Sequence, residues 1–122
     1  MVGDKQTIVI VDDEPDILIF LEAMLRDAGY EVVAVEKSEA LDQLLGQRRL
    51  PALIMLDMLL SGKDGRTISR RLKSQDVTRH IPIIMFSAHP GAAKEALESG
   101  ADDFIAKPFE MDELLTKISS YV

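Results

Sequence analysis

Short patterns typical of strands alternate with patterns typical of helices along the whole chain, and this alternation limits the possible folds more than any other feature. The first run, Thr7–Val11, is β-branched throughout, which is typical of a strand buried on both faces. Further short apolar segments predict four more strands, at Glu31–Val35, Ala52–Leu56, Ile81–Phe86 and Asp103–Ala106. Strands buried on both faces indicate a parallel sheet that is covered by helices.

A helical pattern follows each predicted strand. Pro15 favours the first turn of a helix, and apolar residues then recur at helical spacing until Gly29 ends the segment. Ser38 is the expected N-cap of the second helix. The remaining helices are predicted to include Ile68 and Leu72, to span Gly91–Ser99 and to span Glu110–Tyr121. Five strand–helix units in succession predict an α/β fold in one domain of residues 1–122, with right-handed crossovers and helices on both faces of a five-stranded parallel sheet.

Composition limits the classes of function. The formal net charge of −7 disfavours direct binding to nucleic acid, and the most basic segment, Arg66–Lys73, is interpreted as a solvated helix face because no aromatic residue is interleaved with it. The chain has no cysteine, so it has no disulfide and no thiolate metal site. Residues 1–6 are polar, and the apolar runs are far shorter than the roughly 20 residues of a membrane span. We therefore expect a cytoplasmic protein that does not contact a membrane.

Polar side chains follow four of the five predicted strands. Asp12 and Asp13 follow the first strand, Asp57 the third, Ser87 the fourth and Lys107 the fifth. Each of these residues alone is more often a cap, a turn residue or a solvated side chain. The carboxyl ends of parallel strands meet at one edge of the sheet, where the ligands of open α/β sheets bind. The set as a whole therefore predicts a functional site at this edge.

The three converging carboxylates point to a cation. Carboxylates that lie close together repel one another, and this repulsion should raise their pKa values. Lys107 supplies one compensating charge, and a divalent cation would supply the rest. A set of oxygen ligands favours Mg²⁺ over zinc, and His80 and His89 are interpreted as surface residues rather than metal ligands.

The same residues carry a family resemblance. In order and position, Asp12-Asp13, Asp57, Ser87-Ala88 and Lys107-Pro108-Phe109 resemble the receiver domains of two-component response regulators, including the chemotaxis regulators. The resemblance extends from Thr7 to Tyr121. It implies a flavodoxin-like fold with strand order 2-1-3-4-5, and a cis peptide bond between Lys107 and Pro108.

The resemblance also implies a chemistry. Asp57 would accept a phosphoryl group from a phosphohistidine on a sensor histidine kinase or a phosphotransfer protein. Lys107 would pair with the phosphoryl oxygens, and Ser87 would donate a hydrogen bond to one of them. The implied Mg²⁺ ligands are Asp12, directly or through water, Asp13, Asp57 and the backbone carbonyl of Leu59.

A conformational switch is the implied result of this chemistry. Ser87 would move toward the phosphoryl group and Phe104 would turn inward, although core packing explains Phe104 equally well. The altered surface would act on a downstream protein partner or on a C-terminal effector outside this chain. Such a phosphoacceptor assists its own phosphorylation and dephosphorylation, and we expect it not to be an enzyme that acts on other substrates.

Some features depart from the family pattern. Ser61 stands where proline is usual, and the segment between Ser87 and Lys107 is about two residues shorter than expected. These departures predict a signalling surface that differs from the common one. Met1 favours a natural N-terminus, and whether the coding sequence continues past Val122 stays open.

Two other functions remain as alternatives. One is a receiver-like binding module that is never phosphorylated, and the complete set of acidic, hydroxyl and lysine residues disfavours it. The other is a small phosphatase with an aspartyl-phosphate intermediate. Enzymes of the haloacid dehalogenase type have a second Asp two residues after the nucleophile, where this chain has Leu59.

Overall fold

The alternation of strands and helices predicted from the sequence is present in a computed structural model of the chain. The structure describes residues 6–47, 50–60 and 62–122, so the expectations attached to Met1 and Ser61 lie outside the described residues. The strands are β1 Thr7–Val11, β2 Glu31–Val35, β3 Leu53–Asp57, β4 Leu59–Leu60, β5 Lys63–Asp64, β6 Ile83–Ser87 and β7 Asp103–Ala106. The helices are α1 Pro15–Asp27, α2 Ser38–Gly46, α3 Gly65–Lys73, α4 Ala93–Glu98 and α5 Met111–Ser119, and a 3-10 turn at Pro90–Ala92 precedes α4.

Five of these strands form one parallel sheet in the order β2-β1-β3-β6-β7. Since β4 and β5 form a separate two-stranded hairpin, β6 and β7 are the fourth and fifth strands of this sheet. The predicted order 2-1-3-4-5 is therefore confirmed. The hairpin was not predicted from the sequence, since strands of two residues leave no periodic pattern to detect.

Alternate residues of the central strands enter two cores. Ile8 and Ile10 of β1 pack on one face with the inner side of α1 and α5. Val9 and Val11 pack on the other face with α2, α3 and α4. This alternation follows from the two-residue period of a strand, and both sets of side chains are almost fully buried. Each buried side chain of this size stabilises the fold by about 1.5–3 kcal/mol.

Several predicted boundaries were wrong by one to three residues. Asp57 and Ser87 were placed after their strands, but they are the last residues of β3 and β6, because pairing with the neighbouring strand continues through them. Ser38 is the first residue of α2 and does not cap it, since Lys37 occupies the N-cap position. The predicted helix at Gly91–Ser99 divides into the 3-10 turn and the short α4.

The last helix is also shorter than predicted, because Glu110 is its N-cap and Tyr121 lies beyond its C-terminal end. The Tyr121 hydroxyl donates a hydrogen bond to the backbone carbonyl of Asp102 instead, at 3.0 Å. Among the described residues, no helix is long and apolar enough to cross a membrane.

Candidate functional site

Three carboxylates meet at the carboxyl edge of the sheet. Asp12 and Asp13 directly follow β1, and Asp57 ends β3, the neighbouring strand. One carboxylate oxygen from each residue lies within 4.8 Å of those of the other two. Asp12 is fully buried and Asp57 is 5% exposed, whereas Asp13 is half-buried. The convergence predicted from the sequence is therefore observed, on elements whose positions the sheet fixes.

Lys107, which directly follows the outer strand β7, completes the cluster. Its Nζ lies 3.1 Å from Asp12 Oδ2 and 3.3 Å from Asp57 Oδ2, and Glu14 Oε1 is at 3.8 Å. The Lys107 backbone N–H donates to the Ser87 carbonyl at 2.7 Å, and the ammonium group lies 4.8 Å from the centre of the Phe86 ring. The Lys107–Pro108 peptide bond is cis, which confirms that prediction.

Burial dominates the electrostatics of Asp57. Loss of solvent raises the pKa of Asp57 to about 6, although the Leu59 N–H opposes the rise by donating to its carboxylate. The charge of Asp12 raises the pKa further, and the Lys107 ammonium lowers it. Repulsion between carboxylates was the cause predicted from the sequence, but for Asp57 it is smaller than burial. Burial lowers the pKa of Lys107, yet attraction to Asp57 and Asp12 outweighs this and leaves that pKa above its usual value.

The cluster has the ligand chemistry of a hard divalent cation. Asp12 Oδ1 accepts the Glu14 N–H at 2.9 Å, and Asp57 Oδ1 accepts the Leu59 N–H at 3.2 Å. Each carboxylate oxygen has further lone pairs, so these contacts do not exhaust its capacity to bind a cation. Oxygen donors alone are the set that Mg²⁺ prefers. Asp12, Asp13 and Asp57 therefore fit a magnesium ion, and both histidines are exposed residues outside this group.

Gly65 holds α3 close to the backbone beneath Asp57. A Cβ atom at this position would overlap the Asp57 carbonyl oxygen and would lie only 2.9 Å from the Met58 Cα. The Gly65 N–H donates to the Met58 carbonyl at 2.8 Å. This role of Gly65 was not foreseen from the sequence. The usable signal was a glycine directly after Asp64, whose side chain accepts the Arg66 N–H and caps the helix.

The side-chain contacts of the two predicted switch residues lie outside the cluster. The Ser87 hydroxyl accepts the backbone N–H of His89 at 3.1 Å, and Ser87 also lines an open cleft of about 440 Å³ together with Met58. Phe104 is half-buried and packs against the core on the α3–α4 side. Core packing thus accounts for Phe104 as it stands, and its switch role stays a prediction.

Known proteins resemble the chain over nearly its whole length. A family model described as the response regulator receiver domain matches residues 8–119. The phosphate regulon transcriptional regulatory protein PhoB of Pseudomonas aeruginosa is 40% identical over an alignment of 122 positions, which covers 98% of this chain and 52% of PhoB. The response regulator PleD of Caulobacter vibrioides is 39% identical over an alignment of 116 positions, which covers 93% of this chain and 25% of PleD. The chain thus spans about half of one relative and a quarter of the other.

Solved structures agree with the sequence relatives. The receiver domain of the sensor histidine kinase PA1611 from Pseudomonas aeruginosa superimposes with a TM-score of 0.85 at 31% identity, over 97% of this chain and 98% of that one. That structure holds a magnesium ion coordinated in its active-site cleft.

Proposed function

Because the chain belongs to the response regulator receiver domain family, we propose that it is a phosphorylation-dependent switch in which Asp57 accepts a phosphoryl group with the help of Mg²⁺. The observation that supports this best is the position of Lys107 Nζ, within 3.3 Å of both Asp12 and Asp57, beside a group of three carboxylates. A buried acidic cluster with one ammonium group is suited to a dianionic group and its counterion.

Asp57 is the nucleophile in this proposal. A carboxylate oxygen of Asp57 bonds to phosphorus, and the bond from phosphorus to the histidine nitrogen of the donor breaks, so that neutral imidazole leaves after protonation. Asp57 must be ionised to react, and with a pKa of about 6 it is mostly ionised at neutral pH. Lys107 can turn from the carboxylates to the new phosphoryl oxygens. Bound Mg²⁺, held by Asp12, Asp13, Asp57 and the Leu59 carbonyl, would supply positive charge that lowers the repulsion between donor and acceptor.

Phosphorylation would change the surface through several contacts together. A hydrogen bond from Ser87 to a charged oxygen contributes roughly 1.5–3 kcal/mol. Moving a population from 1:99 to 99:1 takes about 5.5 kcal/mol. Ser87 alone is therefore insufficient. Lys107 and the loop after Ser87 must act together with it, or the binding of a partner must supply the remainder. Phe104 would follow by turning further inward.

The partners follow from the same proposal. The donor is a sensor histidine kinase or a phosphotransfer protein in the cytoplasm, and the recipient is a downstream protein or a C-terminal effector outside this chain. PhoB is named as a transcriptional regulatory protein, and this chain matches only 52% of it. The unmatched part of PhoB is where an effector of this kind would lie in that protein. The receiver itself would not contact nucleic acid, since its net charge is −7.

Intact mass measurement tests the acceptor. The protein is incubated with Mg²⁺ and a small acyl phosphate, and we expect one added phosphoryl group that Asp57→Asn abolishes. Asp76→Asn is the matched control, because the Asp76 side chain is 91% exposed and lies outside the site. An unmodified wild type would refute phosphorylation and favour a binding module, and full modification of Asp57→Asn would refute the choice of acceptor.

Two further measurements separate a switch from an enzyme. Lys107→Ala should still accept some phosphoryl group but should lose the difference in partner binding between its two forms. Equal discrimination by Lys107→Ala and wild type would contradict that role. Sustained turnover of a small phosphomonoester would instead favour the phosphatase alternative.

A further inference from the structure

An ion pair connects the β4–β5 hairpin to the start of α2. Lys63 of β5 places its Nζ 2.9 Å from Glu39 Oε2 and 3.2 Å from the Ser38 hydroxyl oxygen. Ser38 is buried, and its hydroxyl also donates to Glu39 Oε1 at 3.3 Å. The Lys63 ammonium consequently joins the hairpin to two residues that precede it by more than 20 positions in the chain.

The same hairpin carries the backbone that follows Asp57. Leu59 pairs with Asp64, and Leu60 pairs with Lys63. Leu59 donates its N–H to Asp57 Oδ1, Leu60 is buried in the core, and Asp64 caps α3. Leu60 and Asp64 thus fix the two strands of the hairpin to the core and to α3. Lys63 adds a third attachment, directed toward α2.

We propose that Lys63 is a positioning residue, which holds the hairpin against Ser38 and Glu39 and so keeps the Leu59 carbonyl in place for Mg²⁺. This inference rests on the proposed function, because it takes Leu59 as a ligand of that ion. Partners of metal ligands orient those ligands, and their loss usually weakens metal binding.

Electrostatics and positioning predict opposite changes in Mg²⁺ affinity when the Lys63 side chain is removed. Removing a positive charge near an acidic site makes the site more negative, which strengthens the binding of a divalent cation. Loss of a positioning contact loosens the hairpin, which weakens that binding. The Lys63 and Glu39 side chains are 48% and 63% exposed, so their removal should leave the fold itself nearly unchanged.

The experiment compares Mg²⁺ dissociation constants of full chains, measured by NMR titration of backbone amides. Lys63→Met keeps the apolar stem and removes the charge, and we expect binding about three- to tenfold weaker than in wild type. Lys63→Arg should restore most of the affinity, because arginine can reach the same acceptors. Lys37→Met is the matched control: Lys37 lies in the same surface cleft as Lys63, and its loss should leave affinity equal or higher.

Hydrogen exchange in metal-free protein gives a second readout. In Lys63→Met the amides of Leu59 and Lys63 should exchange about three- to tenfold faster, while the melting temperature stays within about 2 °C of wild type. Equal or tighter Mg²⁺ binding by Lys63→Met overturns the inference and leaves the proposed function intact. An equal loss in Lys37→Met also overturns it. A wild type that binds no Mg²⁺ removes the proposed metal, and this inference with it.

Discussion

Replacing the acceptor Asp57 with asparagine should stabilise the metal-free protein. The pKa of Asp57 is raised from 3.8 to about 6 in the folded chain, so the native state favours the neutral carboxyl. Between these values the folded protein binds more protons than the unfolded chain, and stability falls as the pH rises. At about 1.4 kcal/mol per pKa unit, the ionised carboxylate costs up to about 3 kcal/mol above pH 6. An asparagine side chain carries no charge at any pH, so Asp57→Asn removes this cost, although it also weakens the contact with Lys107. The free energy of unfolding of Asp57→Asn should therefore exceed that of wild type by about 1–3 kcal/mol.

Urea unfolding in the presence of a chelator measures this gain. The free energy of unfolding of Asp57→Asn should exceed that of wild type at about pH 8, and the difference should shrink toward zero at about pH 4. Asp76→Asn should show no such gain, because its side chain is 91% exposed. Excess Mg²⁺ should narrow the difference at high pH by stabilising wild type. A variant no more stable than wild type at high pH, or a gain independent of pH, would refute the reasoning.

Three other changes test separate parts of the site. Lys107→Met should raise the pKa of Asp57 further, since the ammonium lowers it, and ¹³C NMR titration of the carboxyl carbon without metal would measure the change. Gly65→Ala should lower the free energy of unfolding by about 1–3 kcal/mol, because the added Cβ would overlap backbone atoms. Gly46→Ala, whose added Cβ meets open space, should raise the free energy of unfolding by up to about 1 kcal/mol, and the same urea titration measures both. Mg²⁺ at 100 times its dissociation constant should stabilise wild type by about 2.7 kcal/mol, and Asp13→Asn should lose most of this shift in thermal unfolding.

The sequence was sufficient for the five strands of the parallel sheet, for its helices and for the three carboxylates that meet at its edge. The β-branched run Thr7–Val11 and the spacing of α1 are local patterns, and both recur in the structure with nearly the predicted bounds. Strand ends were less well predicted. Whether Asp57 and Ser87 belong to their strands depends on pairing with neighbouring strands, which the local sequence around them does not specify.

Short and non-local features were beyond the sequence. The β4–β5 hairpin is too short to give a periodic signal. In the sequence, nothing distinguishes Lys63 from other charged residues, and only the structure shows its ammonium beside Ser38 and Glu39. Likewise, the close approach of Gly65 to the Asp57 carbonyl depends on how α3 meets the end of β3. A glycine in the sequence alone is compatible with many such geometries.

What the sequence determined by itself was a parallel α/β fold with Asp12, Asp13, Asp57 and Lys107 at strand ends, because side-chain periodicity and chemistry are local properties. Only the tertiary structure decided that Lys107 Nζ lies beside both Asp12 and Asp57, 95 and 50 residues away along the chain. Strand order sets that placement. Burial, which raises the pKa of Asp57 above its usual value, likewise exists only once helices cover both faces of the sheet.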